Sequence, residues 1–133
     1  MIKLIVGEKG SGKTKQMVDM INSNIGKVKG NIVCIEKSMQ LTYNIDTSVR
    51  LIDVDEYKID NYEKFYGFFA GVLAGDYDIE QVYIDGILKV GNKDVEGLGD
   101  VLEKIDAITK EIQVVISLSL AVIDIPDDVK KYI

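Results

Sequence analysis

The sequence predicts an α/β fold, a three-layer α-β-α sandwich built around a mostly parallel sheet. Short β-rich apolar runs alternate with segments of 3.6-residue apolar spacing from one end of the chain to the other. Two of those runs, Ile2–Val6 and Val114–Leu118, are apolar at nearly every position rather than at every second one. That is the pattern of strands covered on both faces, and it predicts an interior place in the sheet for both. Strand-helix alternation in turn implies βαβ crossovers with helices on each side. At 133 residues the chain is expected to form one domain, residues 1–133, and to bury roughly two thirds of its unfolded surface.

The elements follow in order. Ile2–Val6 is the first strand. Thr14–Ile25 is helical, with Met17, Val18, Ile21 and Ile25 on one side and Gly26 as its stop. Ile32–Glu36 is the next strand. Val49–Val54 is a more polar one, which predicts a place near a sheet edge. Asp60-Asn61-Tyr62-Glu63 reads as a capping box. It opens a helix whose Tyr62, Phe65, Tyr66, Phe69, Val72 and Leu73 keep helical spacing. An aromatic stripe of this regularity predicts a core face rather than a base-stacking platform. Gly67 and Gly71 fall on the opposite face, where they read as tolerated surface residues. Gln81–Asp85 returns to strand, Leu98 to Ile108 to helix, and Ile112–Leu120 is a long apolar strand. Pro126 opens a short final helix, since proline suits a first turn.

Composition excludes several classes of function. The formal net charge is −6, with 15 lysines, a single arginine (Arg50) and no histidine. Nothing in that balance favours nucleic acid or an anionic membrane as partner. Without histidine there is no His-based catalytic triad and no imidazole zinc ligand. Cys34, alone in the run NIVCIE, forms no internal disulfide and reads as a small core residue. The apolar run Val114–Ile123 is about half the length of a membrane span. With no export signal in view, a cytoplasmic location is the expectation.

The chemistry is concentrated at Gly7-Glu8-Lys9-Gly10-Ser11-Gly12-Lys13-Thr14, which matches G-x-x-x-x-G-K-[ST] in full. With glycine near 7% of residues, a chance match should arise roughly once in a few hundred chains of this size. The motif also follows an apolar strand and opens an amphipathic helix, as its chemistry requires. Gly7, Gly10 and Gly12 permit positive φ, so that successive N–H groups turn inward around an anion. The helix that follows aims its unpaired N–H groups and its dipole at the same place. Lys13 is then placed to reach β- and γ-phosphates, and the Thr14 hydroxyl to coordinate magnesium. A second metal anchor is expected at the end of another apolar strand, and Asp85 in Val82-Tyr83-Ile84-Asp85-Gly86 has that form.

On these residues the chain resembles the P-loop NTPase superfamily, whose fold is the P-loop containing nucleoside triphosphate hydrolase fold. The run Ile32 to Leu41 looks like the second strand of RecA-like, replicative-helicase-like ATPases. The resemblance implies a water-activating role for the glutamate at that strand's end, Glu36. It also implies a γ-phosphate sensor near the end of the Val115–Leu120 run, where relatives often carry glutamine and this chain offers Ser117 or Ser119. The likeness covers roughly residues 1–120. RecA-like cores add further strands and DNA-binding loops beyond that range, so what the resemblance implies for these residues is a minimal ATPase using ATP and Mg2+.

Other classes compete. A GTPase needs an N-K-x-D base reader, and Asn92-Lys93-Asp94 lacks its spacing; Asp94-Val95-Glu96-Gly97 matches D-x-x-G only in letters. A small kinase clamps the transferred group with arginines. A chain holding only Arg50 would have to use lysines such as Lys89 and Lys93. A third class is a nucleotide-binding switch or assembly subunit with little turnover, either a homo-oligomer or one whose protein partner supplies catalytic groups. Gly86 removes the adjacent-base arrangement, in which a second acid follows the metal-binding aspartate, and so directs attention to Glu36. Asp53, Asp55 and Glu56 are weaker candidates.

Overall fold

The computed structural model describes residues 1–38 and 44–133. In chain order they form β1 (Ile2–Gly7), α1 (Lys13–Asn24), β2 (Asn31–Glu36), β3 (Arg50–Asp53), α2 (Tyr62–Gly75), β4 (Ile79–Asp85), α3 (Ile87–Val90), α4 (Leu98–Ala107), β5 (Gln113–Ser119) and α5 (Asp127–Lys130). The five strands make one sheet in the order β1-β5-β4-β2-β3, and every pairing is parallel. Of the run Ile32 to Leu41, residues Met39, Gln40 and Leu41 lie outside the described residues.

Strand alternation sorts the core into two layers. Val33 and Ile35, Val82 and Ile84, and Val114, Ile116 and Leu118 point to the face covered by Phe65 and Phe69 of α2, by α3 and by α4. Ile5, Ile32, Cys34, Tyr83 and Val115 point to the other face, where Met17 and Ile21 of α1 cover them. Helices on both sides of a parallel sheet give the three layers that the alternation of periods predicts. Among the described residues no helix is long and apolar enough to cross a membrane.

Three expectations are corrected in detail. β1 is an edge strand, because β5 inserts between it and β4. Its apolar run is explained differently: the C-terminal segment lies along its outer side, where the Leu4 N–H donates to the Tyr132 carbonyl at 2.8 Å. Val129 and Tyr132 are buried there. A covered edge needs the same apolar residues as an interior strand, so the sequence pattern alone does not tell them apart. β3, four residues long with Arg50 exposed, is the opposite edge, as its polarity predicts. Secondly, the N-cap of α2 is Asn61, whose side chain accepts from the Lys64 N–H at 2.8 Å. Asp60 instead pairs with the Lys64 ammonium at 2.9 Å, so no capping box forms between Asp60 and Glu63. Thirdly, Gly7 does not adopt positive φ, whereas Gly10 and Gly12 do.

Candidate functional site

The C-terminal ends of parallel strands leave carbonyls and side chains facing a crevice, and ligands of open α/β sheets gather there. Here the loop Gly7–Thr14 runs from the end of β1 into α1. Gly10 (φ 85°) and Gly12 (φ 90°) take the left-handed conformation that the loop's curvature demands and that glycine adopts without strain. Gly7 serves by its lack of a side chain: it ends β1, and a Cβ there would collide with the Ser11 hydroxyl. The Ser11 N–H closes the turn onto the Glu8 carbonyl at 3.1 Å.

Lys13 is only 8% exposed despite its charge. Its Nζ lies across the loop, donating to the Glu8 carbonyl at 2.9 Å and to the Ser11 hydroxyl at 3.4 Å. Burial holds its pKa below the ordinary 10.5. The charge of Asp85 works against that shift, and the charge of Lys89 adds to it. In the first turn of the helix, the Thr14 hydroxyl is 3.5 Å from Asp85 Oδ2.

Asp85 ends β4, which is flanked on both sides by strands. Its other oxygen, Oδ1, accepts from the Ser117 hydroxyl at 2.7 Å, and the same hydroxyl accepts from the Gly86 N–H at 2.8 Å. Ser117 is 2% exposed. A hydroxyl has one proton, and here it is directed at Asp85, so Ser117, which also lines the cavity, orients the carboxylate. Ser119, at the end of β5, is exposed on the cavity wall. Of the two serines singled out in the sequence, it is the one able to donate into the cavity.

These groups line a cavity of about 800 Å³. Its wall includes Lys9, Lys13, Thr14, Asp85, Lys89 and Lys93 among its polar residues and Leu88, Val95 and Leu120 among its apolar ones. Four lysines and a single carboxylate make this pocket cationic in a chain whose net charge is −6. The apolar wall carries no sequence signal that separates it from core. In the sequence Lys89 and Lys93 stood out only as stand-ins for a kinase's arginines, since their convergence with Lys13 depends on the turn that follows Asp85.

Glu36 ends β2 in register with Asp85 on one side and with Asp53 on the other. Cys34 and Tyr83 share the α1 face, and strand period two puts Glu36 and Asp85 on that face with them. Yet Glu36 is 1% exposed and is not among the residues lining the cavity. It is therefore not a solvated strand-end carboxylate, and it stands beside Asp85 rather than in the cavity wall. Asp53 is occupied with backbone: its Oδ1 accepts from the N–H groups of Ser38 at 3.2 Å and Asp55 at 2.9 Å. Asp55 pairs with Lys37 at 3.4 Å, and Glu56 is exposed. Arg50 begins β3, on the far edge of the sheet and at the opposite end of the strands from the cavity.

Among the described residues no cluster of three or more acidic or thiol side chains is arranged to hold a metal. Magnesium does not need one. It keeps several waters and takes one or two protein oxygens together with substrate phosphates. The hard oxygens of Thr14 and Asp85, already neighbours, fit that requirement. Comparison of the chain with protein-family models and with curated proteins gives no match.

Proposed function

We propose that the protein binds Mg·ATP through the Gly7–Thr14 loop and hydrolyses it slowly, as a minimal RecA-like P-loop ATPase. The observation that carries this reading is the meeting of Lys13 and Thr14 with Asp85, which lies 71 residues beyond Thr14, at one cationic cavity. In this reading the loop amides and Lys13 bind the phosphates. Thr14 and Asp85 hold the magnesium, with Ser117 fixing the carboxylate, and Ser119 donates to the terminal phosphate. Magnesium, when bound, offsets the charge of the phosphates. Strand order supports the reading, since β5 with its two serines lies between the loop-bearing β1 and the Asp85-bearing β4. Glu36, one strand beyond Asp85, is the group assigned to the water. The water oxygen bonds to the terminal phosphorus and the bridging P–O bond breaks toward the diphosphate, while the water's proton passes to Glu36.

A second reading, a nucleotide-binding switch or assembly subunit with little turnover, draws on two observations. Glu36 is buried away from the cavity wall, and Arg50 is remote from it. A charge-stabilising arginine supplied in trans is worth about 10³–10⁵ in rate, so slow turnover is expected of the chain alone in either case.

Titration calorimetry with Mg·ATP and phosphate-release assays on the native chain, Lys13→Ala and Glu36→Gln test both. An ATPase requires that Lys13→Ala abolish binding, and that Glu36→Gln bind normally and lose turnover. Turnover indifferent to Glu36→Gln favours the switch. Turnover that appears only on adding a hydroxyl acceptor turns the assignment to a kinase. A native chain that binds no nucleotide overturns all three.

A further inference from the structure

We propose that Lys89 and Lys93 form a second cationic arm that reads the terminal phosphate, so that the site distinguishes a nucleoside triphosphate from a diphosphate. The inference rests on the nucleotide reading above and adds to it a specificity device in the turn after Asp85.

Four observations converge. Both lysines line the cavity that holds Lys13, Thr14 and Asp85. Neither forms an ion pair among the described residues, so no carboxylate already meets their charge. With Lys9 and Lys13 they set four ammoniums against the one carboxylate of Asp85, and those like charges repel one another. An anion placed among these amines relieves that repulsion, and each added phosphate charge relieves more of it.

The fourth observation is conformational. Asn92 (φ 56°) and Lys93 (φ 63°) are consecutive left-handed residues. Asparagine tolerates that region; lysine rarely enters it. Strained backbone persists where surrounding structure over-determines it, and it gathers at ligand clamps. Here the surroundings are explicit. The Lys93 N–H donates to the Leu88 carbonyl at 2.7 Å, and the Asp94 N–H to that of Gly91 at 3.1 Å. Tyr62 of α2 holds the turn from behind, its hydroxyl donating to the Asp94 carbonyl at 2.7 Å and its ring filling the space a Cβ on Gly91 would need. Asp94 in turn accepts from the Gly97 N–H at 3.0 Å. The turn is built to hold Lys93 in one place, at a conformational cost that glycine would avoid.

The test compares affinities for Mg·ADP and for the non-hydrolysable Mg·β,γ-imido ATP. The native chain is expected to prefer the triphosphate. In the Lys89→Ala/Lys93→Ala double variant, triphosphate affinity should fall tenfold or more and diphosphate affinity less than twofold, with Lys89→Arg/Lys93→Arg retaining most of the preference. Lys93→Gly should melt at or above the native temperature while weakening triphosphate binding, which a purely structural lysine would not do. Lys104→Ala, on α4 and paired with Asp100, should change neither affinity. Equal loss for both nucleotides reduces the arm to a general field and overturns the proposal, as does retention of the native preference in the double variant. A native chain that binds both nucleotides equally overturns this inference alone, and one that binds neither overturns the nucleotide reading as well.

Discussion

Ser117 and Cys34 show how single side chains in this sheet take on consequences that their types do not announce. Ser117 satisfies two partners with one oxygen, donating to Asp85 and accepting from Gly86. Ser117→Ala leaves a carboxylate and a backbone N–H short of a partner, and should cost about 1–3 kcal/mol in urea denaturation. It should also weaken magnesium binding in a metal titration. Cys34 is fully buried, and burial, followed by the charges of Glu36 and Asp85, pushes its thiol above the ordinary 9.0. The sign follows from linkage. The unfolded thiol ionises first, so this contribution is intact below pH 9 and is lost as pH rises beyond it. Lys13 acts in the opposite sense, because its folded pKa is lowered and its contribution grows as pH approaches 10.5. Stability measured between pH 8 and about 10.5 should therefore fall less steeply in Cys34→Ala than in the native chain. Asp85 was legible as a strand-end acid to set against the glycine-rich loop, but the commitment of Ser117 to it was not. That bond depends on the register between β4 and β5, which neither strand encodes alone.

Among the elements, α2 was the most legible and its first turn the least. Its stripe keeps helical spacing, and Phe65 and Phe69 are fully buried where that spacing puts them. Asp60 and Asn61 are both competent N-caps, so sequence cannot choose between them, and the structure uses Asn61. Asn61→Ala should cost about 1 kcal/mol in thermal or urea unfolding, and Asp60→Ala far less, since its exposed pair with Lys64 is worth little. On the outer face of the same helix, a Cβ at Gly67 or Gly71 would meet nothing within 4 Å. Gly67→Ala and Gly71→Ala should each raise stability by up to about 1 kcal/mol, and a loss in either would show that something packs against this face. β1 carries the opposite lesson. Its composition told that it is covered, and only the strand order told by what.

At the scale of the molecule, the order β1-β5-β4-β2-β3 decides which distant residues become neighbours. It aligns Ser117, Asp85 and Glu36 at adjacent strand ends and sends Arg50 to the far edge. Chain order alone would have separated Asp85 from Ser117 by a helix pair and thirty-odd residues, which is why the site was readable as a set of types and not as a geometry. The outer side of β1 depends on the last residues of the chain. Deleting residues 126–133 removes buried Val129 and Tyr132, each worth roughly 1.5–3 kcal/mol. It also frees the Leu4 N–H. The expected result is a lower melting temperature and faster hydrogen exchange at the Leu4 amide, with native exchange rates there counting against any bracing role for the tail.

That edge position gives the two oxygens that meet at the cavity, those of Asp85 and Thr14, unequal support. Asp85 stands on a strand laced to neighbours on both sides and pinned by Ser117, so it behaves as a fixed jamb. Thr14 sits in the first turn of α1, just after a loop whose strand is laced on one side only and braced on the other by a tail. The 3.5 Å between their oxygens is thus the gap between a fixed jamb and a door hung at the edge of the sheet.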